Sequence, residues 1–214
     1  MSAIGKDARR LTARGAATRA RIVAAAADLA WRCGVGETSL DDVMAASGTS
    51  KSQLYHYFAD KDELLRAAAT LQASRVLGVH RPLLEALDSL DAMRRWRDAV
   101  LALNGRLGCP LGALAYQLPP SAKRARTAVA DGFETWRRRI EDGLTRMRDR
   151  GELAPEADPA DVALAVLSAV QGGLLLSRSA KSNRPLELAF EMALAYVETH
   201  VRGPGAAATQ AGLR

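Results

Sequence analysis

The sequence predicts an all-α fold of about nine helices, with a small N-terminal three-helix unit that carries a helix-turn-helix and a larger helical domain behind it. Three observations point there. Alanine, the best helix former, is abundant, whereas aromatic residues make up only 5% of the chain. Apolar residues recur at spacings of three and four through most of the sequence. Helix-start signals follow one another closely near the N-terminus. No internal repeat and no strand pattern is apparent. A chain of 214 residues, 48% hydrophobic and 25% charged, suits one domain or two small ones and can bury a sizeable core.

Thr18 is expected to cap a first helix running to about Cys33, with Ile22, Ala25, Ala26 and Leu29 on one buried face and Gly34 and Gly36 as the stop. Three capping-box-like pairs follow: Ser39 with Asp42, Ser50 with Gln53, and Asp60 with Glu63. Asp42 is short for the return bond, so the first pair is the weaker. The expected result is a helix over about 40–47, a turn at Gly48, a second over about 51–57, and a long helix from Lys61. Two short helices joined by a tight Gly-containing turn read as a helix-turn-helix. Leu40, Val43, Leu54 and Phe58 would lock them onto the first helix.

The long helix should run toward His80 and break or kink at Pro82. A helical segment over about 83–107 follows, then a short apolar piece over 111–118 ending at Pro119-Pro120. Ser121 is expected to cap a helix to about Arg150 through Ala125, Val129, Phe133, Trp136, Ile140, Leu144 and Met147. Asp158-Pro159 opens the next, carrying Val162, Val166, Val170 and Leu174. The last starts near Pro185 and carries Leu186, Phe190, Ala193 and Val197. The expected division is a flexible basic arm (1–17), a helix-turn-helix domain (18–66), the larger domain (67–202) and a disordered tail (203–214).

Charge placement is informative. Residues 1–21 hold Lys6, Arg9, Arg10, Arg14, Arg19 and Arg21 against Asp7 alone, so most of the net +6 lies there. Such an arm suits a polyanion, where neutralised phosphates release counterions; a solubilising tail fits the charge equally well. Residues 22–66 are instead net acidic, with Asp28, Glu37, Asp41, Asp42, Asp60, Asp62 and Glu63 against Arg32, Lys51, Lys61 and Arg66. Five of those acids fall in first helical turns, where they favour the helix dipole. The segment 49–58 contains no acid.

Several classes find no support. There is no run of about 18 apolar residues and no apolar signal core at the N-terminus, so a cytoplasmic protein without a membrane partner is expected. Cys33 and Cys109 lack metal-ligand spacing, and no metal or cofactor is expected. His56, His80 and His200 are scattered, and neither a phosphate-binding glycine loop nor a nucleophile motif is present, which argues against an enzyme.

The stretch 18–22, then Thr38-Ser-Leu-Asp-Asp-Val, then Gly48-Thr-Ser-Lys-Ser-Gln-Leu-Tyr-His-Tyr-Phe58 and Lys61-Asp-Glu-Leu-Leu65, resembles the DNA-binding domain of the tetracycline-repressor (TetR) family. Residues 108–115, Gly-Cys-Pro-Leu-Gly-Ala-Leu-Ala, resemble a motif of its lincomycin-repressor-like branch. The resemblance implies a homodimeric repressor with two reading heads. It also implies a larger domain that binds a small hydrophobic inducer and dimerises through the last two helices.

The second helix of a helix-turn-helix enters the major groove with its N-terminal residues at the base edges. Here that end carries Thr49, Ser50, Lys51, Ser52 and Gln53. Gln53 can pair bidentately with adenine, and Lys51 suits guanine or a phosphate. By family position, Tyr55 and Tyr57 look like phosphate or thymine-methyl contacts and His56 a phosphate contact, though an ordinary surface imidazole remains the alternative for His56. Ser39 and Lys61 resemble the family's phosphate clamps, and both sit where helix N-termini favour anions. The last two helices each carry a long apolar face, which suits pairing into a four-helix interface and hence a near-palindromic double-stranded DNA operator.

In the larger domain, Trp96, Tyr116, Phe133 and Trp136, with Gln117 as the polar group, are candidate ligand contacts, because ligand cavities are lined by aromatics with few polar groups. Ordinary core is the competing reading for the aromatics. Cys109 precedes Pro110 near a helix start, a place that can lower a thiol pKa, so a redox or electrophile sensor is an alternative function. A helical adaptor that binds no DNA is a further one, disfavoured by the acid-free segment with Lys51, Gln53 and three polar aromatics.

Overall fold

The computed structural model describes residues 11–104 and 107–201. Among them are nine α-helices: α1 (Ala13–Arg32), α2 (Leu40–Ser47), α3 (Lys51–Tyr57), α4 (Lys61–Glu85), α5 (Leu90–Asn104), α6 (Pro110–Gln117), α7 (Lys123–Asp149), α8 (Pro159–Ala180) and α9 (Arg184–Glu198). No strand forms among the described residues; Leu153 and Val201 make one isolated antiparallel bridge. The fold class is as expected, and α2 and α3 have the expected bounds.

The first helix starts earlier than expected. Thr12 caps it, its Oγ1 accepting from Gly15 N at 3.1 Å. Thr18 instead lies buried inside α1 and donates to Arg14 O at 3.0 Å. Residues 13–17, assigned above to the arm, are therefore helical, and Arg14, Arg19 and Arg21 belong to α1. Lys6, Arg9, Arg10 and the tail 203–214 lie outside the described residues.

Local chemistry sets the next elements. Gly48 adopts the left-handed conformation (φ 62°) that ends α2, a position a side chain would strain. Two of the three capping boxes close, including the weaker one; at the third, Asp60 Oδ1 accepts from Glu63 N at 2.8 Å, but Glu63 Oε2 accepts from Ala59 N at 2.8 Å rather than from Asp60 N. Asp42 Oδ2 reaches Ser39 N at 3.0 Å while Asp42 N donates to Ser39 Oγ at 3.1 Å. The short carboxylate suffices because the Ser39 backbone is extended (ψ 163°), which turns its N–H toward the first turn.

Pro82 does not end α4, which runs on to Glu85. The break falls at 86–89, where Leu87 is fully buried and Ser89 Oγ accepts from Ala92 N at 3.2 Å at the start of α5. Nor does Ser121 cap α7. The helix begins at Lys123 with no cap from its own flank. Its first N–H groups are satisfied from α4, with Arg124 N and Ala125 N donating to the Asp62 carboxylate at 3.1 and 3.0 Å. Asp158 caps α8 as expected, through Ala160 N at 2.9 Å.

Two cores result. One holds Ile22, Val23, Ala26, Val43, Leu54, Phe58, Leu64 and Ala68 and binds α1–α3 to the start of α4. The other spans α4–α9 and takes in Ala30 of α1 and Val35 of the loop after it, so the two regions share α1 and α4. Helix α4 packs along α7, and α8 along α9. Length and mean hydropathy alone would let α8 cross a bilayer. In this fold its inner side (Val162, Val166, Val170, Leu174) is core.

Candidate nucleic-acid interface and ligand cavity

Helices α2 and α3 both start at exposed serines, Ser39 and Ser50. Ser50, Lys51, Ser52, Gln53, Tyr55 and His56 are all exposed around α3. Leu54 and Phe58, each 1% exposed, anchor its other side. Ser39 and Lys61 lie far apart in sequence but meet in space, because Lys61 Nζ donates to Thr38 O at 2.8 Å, next to the α2 cap. The ammonium thus stands at the N-terminus of α2 with further N–H groups to offer an anion.

Three expected contacts are already engaged within the protein. Thr49 is buried, its hydroxyl 2.7 Å from that of Ser47, so its side chain is not presented on this face. Tyr57 is half-buried against the head core rather than on the outer face. Its hydroxyl lies beside Gly15 of α1, 3.4 Å from where a Cβ would stand. Gln53 is exposed, but its Oε1 accepts from Ser50 N at 2.9 Å, so cap and base would share that oxygen. The His56 ring meets the Tyr57 ring edge-on, centroids 4.8 Å apart.

Four of the head's acids are tied down. Hydrogen bonds from the Ser39 hydroxyl and backbone N–H hold the Asp42 carboxyl below the usual carboxylate range. The Glu63 backbone N–H, then the Arg124 guanidinium, do the same for Asp60. At Asp62, desolvation works against the charge. It is outweighed by N–H donation from Ala125 and by the guanidinium and N–H of Arg124, so that pKa is also lowered. Asp28 pairs with Arg75 at 2.6 Å. Three of the head's seven acids thus face arginines that lie beyond residue 66. Arg19 lies over the Phe58 ring, 5.1 Å from its centroid, which fastens α1 to the end of α3.

The larger domain contains a cavity of about 310 Å³ between α6, α7 and α8, partly open to solvent. Of the five expected ligand residues, Tyr116 and Phe133 line it. The others do not. Trp96 is fully buried edge-on to Phe190, and Trp136 is 1% exposed and stacks on His80. Gln117 turns the other way, its Oε1 accepting from Val35 N at 2.9 Å and so tying α6 to the loop after α1. Helical spacing cannot separate an aromatic in the core from one at a cavity wall.

The residues missed at the cavity are Cys109, Ser168, Gln171 and Arg178. Their signal was legible: 164, 168, 171, 175 and 178 follow one helical stripe of α8, and its polar members interrupt an otherwise apolar helix. Cys109 accepts from Gly112 N at 3.4 Å as the α6 cap. Burial pushes its thiol pKa up, against smaller lowering contributions from the N–H groups of Gly112 and Leu111 and from Gln171. The thiol is thus protected, the opposite of the activated cysteine considered above.

The outer side of α8 and α9 is apolar and open. Leu176, Leu188, Met192 and Tyr196 are between 41% and 63% exposed, large apolar side chains of the kind that mark an interaction surface where they lie together.

A three-helix head with a helix-turn-helix, carried on a larger helical domain, is the arrangement of a class of DNA-binding regulators. The comparisons narrow it. Residues 22–68 match the tetR family of bacterial regulatory proteins, and residues 85–192 match the C-terminal domain of LmrA/YxaF-like transcriptional regulators. The chain belongs to the TetR family and is a helix-turn-helix transcriptional regulator of its LmrA/YxaF-like branch.

The chain is 28% identical over 177 residues to an uncharacterized HTH-type transcriptional regulator of Mycobacterium tuberculosis, covering 79% of this chain and 89% of that one. It is 24% identical over 180 residues to the HTH-type transcriptional regulator LmrA of Bacillus subtilis, covering 79% and 90%. Among solved structures, a TetR transcriptional regulator from Chloroflexus aurantiacus is 28% identical with a TM-score of 0.73, covering 89% of this chain and 99% of that one. A TetR-family regulator from Cytophaga hutchinsonii shares the fold at a TM-score of 0.80 and 20% identity, covering 91% and 100%.

Proposed function

We propose that the protein is a homodimeric repressor of the cytoplasm that binds a near-palindromic operator and leaves it when a small hydrophobic inducer fills the cavity. The observation that carries this reading is the single exposed face formed by Ser39, the acid-free helix α3 and Lys61. Ser50, Lys51, Ser52, Gln53 and Tyr55 meet base edges and thymine methyls, while Ser39, Lys61 and His56 hold phosphates. Thr49 and Tyr57 support the face from within. Leu176 of α8 with Leu188 and Met192 of α9 supply the dimer contact, and the twofold axis sets the two heads roughly 34–36 Å apart or somewhat more. In this division of labour residues 18–66 read DNA and 67–202 bind ligand and pair.

A gel shift with the DNA upstream of the protein's own gene tests the reading. A shifted complex at low salt, carrying two protomers, is the expected result. A protein that is dimeric in solution yet shifts no DNA at low salt contradicts it.

A further inference from the structure

We propose that the cavity between α6, α7 and α8 takes an amphiphilic acid, an apolar body bearing one anionic group, with Arg178 as the residue that reads the charge. This rests on the reading of that cavity as the inducer site and narrows its ligand from merely hydrophobic to anionic.

The lining chemistry is one-sided. Phe133, Leu164, Leu167, Leu174 and Leu175 supply apolar walls, and no Asp or Glu lines the cavity. Its strongest polar groups are donors. Arg178 carries a fixed positive charge and makes no ion pair among the described residues. Its guanidinium lies instead over the Trp31 ring, 4.5 Å from the centroid. Gln171 has a buried Nε2 with no oxygen or nitrogen partner, the Cys109 sulfur beside it being a weak acceptor. A buried donor left in this state costs free energy that an acceptor on a ligand would recover. The start of α6 adds to the bias. Its Gly112 N–H is satisfied only by the Cys109 sulfur, a weak acceptor, at a helix end that favours negative charge.

Gly108 fixes where the charge stands. It has φ +78°, and a Cβ there would lie 3.1 Å from Arg178 Cδ, so the arginine stem rests on a bare backbone at the cavity rim. A ligand anion at that rim meets the guanidinium, while its apolar body lies between Phe133 and the α8 leucines. Trp31 belongs to α1, so the side chain that reads the ligand's charge also touches the head.

The test compares two fluorescent probes of one ring system, anilinonaphthalene sulfonate and the uncharged phenylnaphthylamine, on the full chain without DNA. The sulfonate should bind at least tenfold tighter, and octanoate should displace it at concentrations where octanol does not. Arg178→Gln should lower sulfonate affinity about tenfold and leave the neutral probe unchanged. Phe133→Trp, which fills the cavity, should abolish binding of both while thermal unfolding remains cooperative. Equal affinity for the two probes, an unchanged preference in Arg178→Gln, or sulfonate binding that survives Phe133→Trp overturns the proposal. Because no DNA is present, these results are independent of the gel shift: probe selectivity without a shifted complex removes the repressor reading and leaves the ligand class standing.

Discussion

At the scale of single residues, the recognition helix does two jobs with the same side chains. Gln53 closes the α3 capping box and, on the function proposed above, also pairs with adenine. Gln53→Ala should therefore cost about 1–3 kcal/mol of discrimination at one base position. It should also cost roughly 0.5–1 kcal/mol of stability through the cap, and binding to base-substituted operators read beside thermal unfolding separates the two. Lys61→Ala should weaken binding evenly across DNA sequences and lower the salt slope by about 1 per subunit. An unchanged slope means that Lys61 serves only Thr38 O. The residue types on this face were legible because helix-start chemistry is local. That Thr49 and Tyr57 point inward was not, since it depends on Ser47 and on α1 lying beside them.

At the scale of elements, helix starts were read well where the cap is local and missed where it is not. Ser50 and Asp158 cap from their own flanks, and α3 and α8 begin where expected. The cap of α7 is Asp62, some sixty residues earlier, and no local pattern announces it. This junction should be acid-sensitive. Asp60 and Asp62 have lowered pKa values, so their contribution is present above the ordinary carboxylate pKa near 3.8 and is lost as pH falls through the depressed values. Arg124→Ala should flatten the acid limb of a stability-versus-pH curve measured by urea unfolding. The close pass of α7 over the α4–α5 loop is equally specific. A Cβ at Gly143 would lie 1.9 Å from Leu87 O, against backbone that cannot swing aside. Gly143→Ala should cost about 2–3 kcal/mol, seen as a lower urea midpoint at unchanged m-value.

At the scale of the whole molecule, the fold resolves an apparent contradiction in the charge. The head is net acidic in sequence, yet Asp28, Asp60 and Asp62 are paired with Arg75 and Arg124 from outside it, and Asp42 is held in its own capping box. Four of the head's seven acids are thus engaged within the protein, and helix α3 presents Lys51 with no acid of its own. The apolar stripes read from the sequence on the last two helices, Val162 to Leu174 and Leu186 to Val197, are core within one protomer, and the open apolar side is made by other residues, Leu176, Leu188 and Met192. Leu176→Glu with Met192→Glu should give a monomer by sedimentation that loses most operator affinity, because each head alone reads half a site. The cavity was the least legible part. Its walls come from α6, α7 and α8 together, and only the polar stripe on α8 hinted at it.

The central claim is that one face of a paired molecule reads sequence rather than charge alone. Its most direct measurement is the dimer's affinity for its own upstream DNA and for unrelated DNA of equal length, across a range of salt. Similar salt slopes are expected for the two, with a preference for the upstream DNA of about a thousandfold or more that persists at physiological salt. Equal affinity for both DNAs at every salt concentration would contradict it.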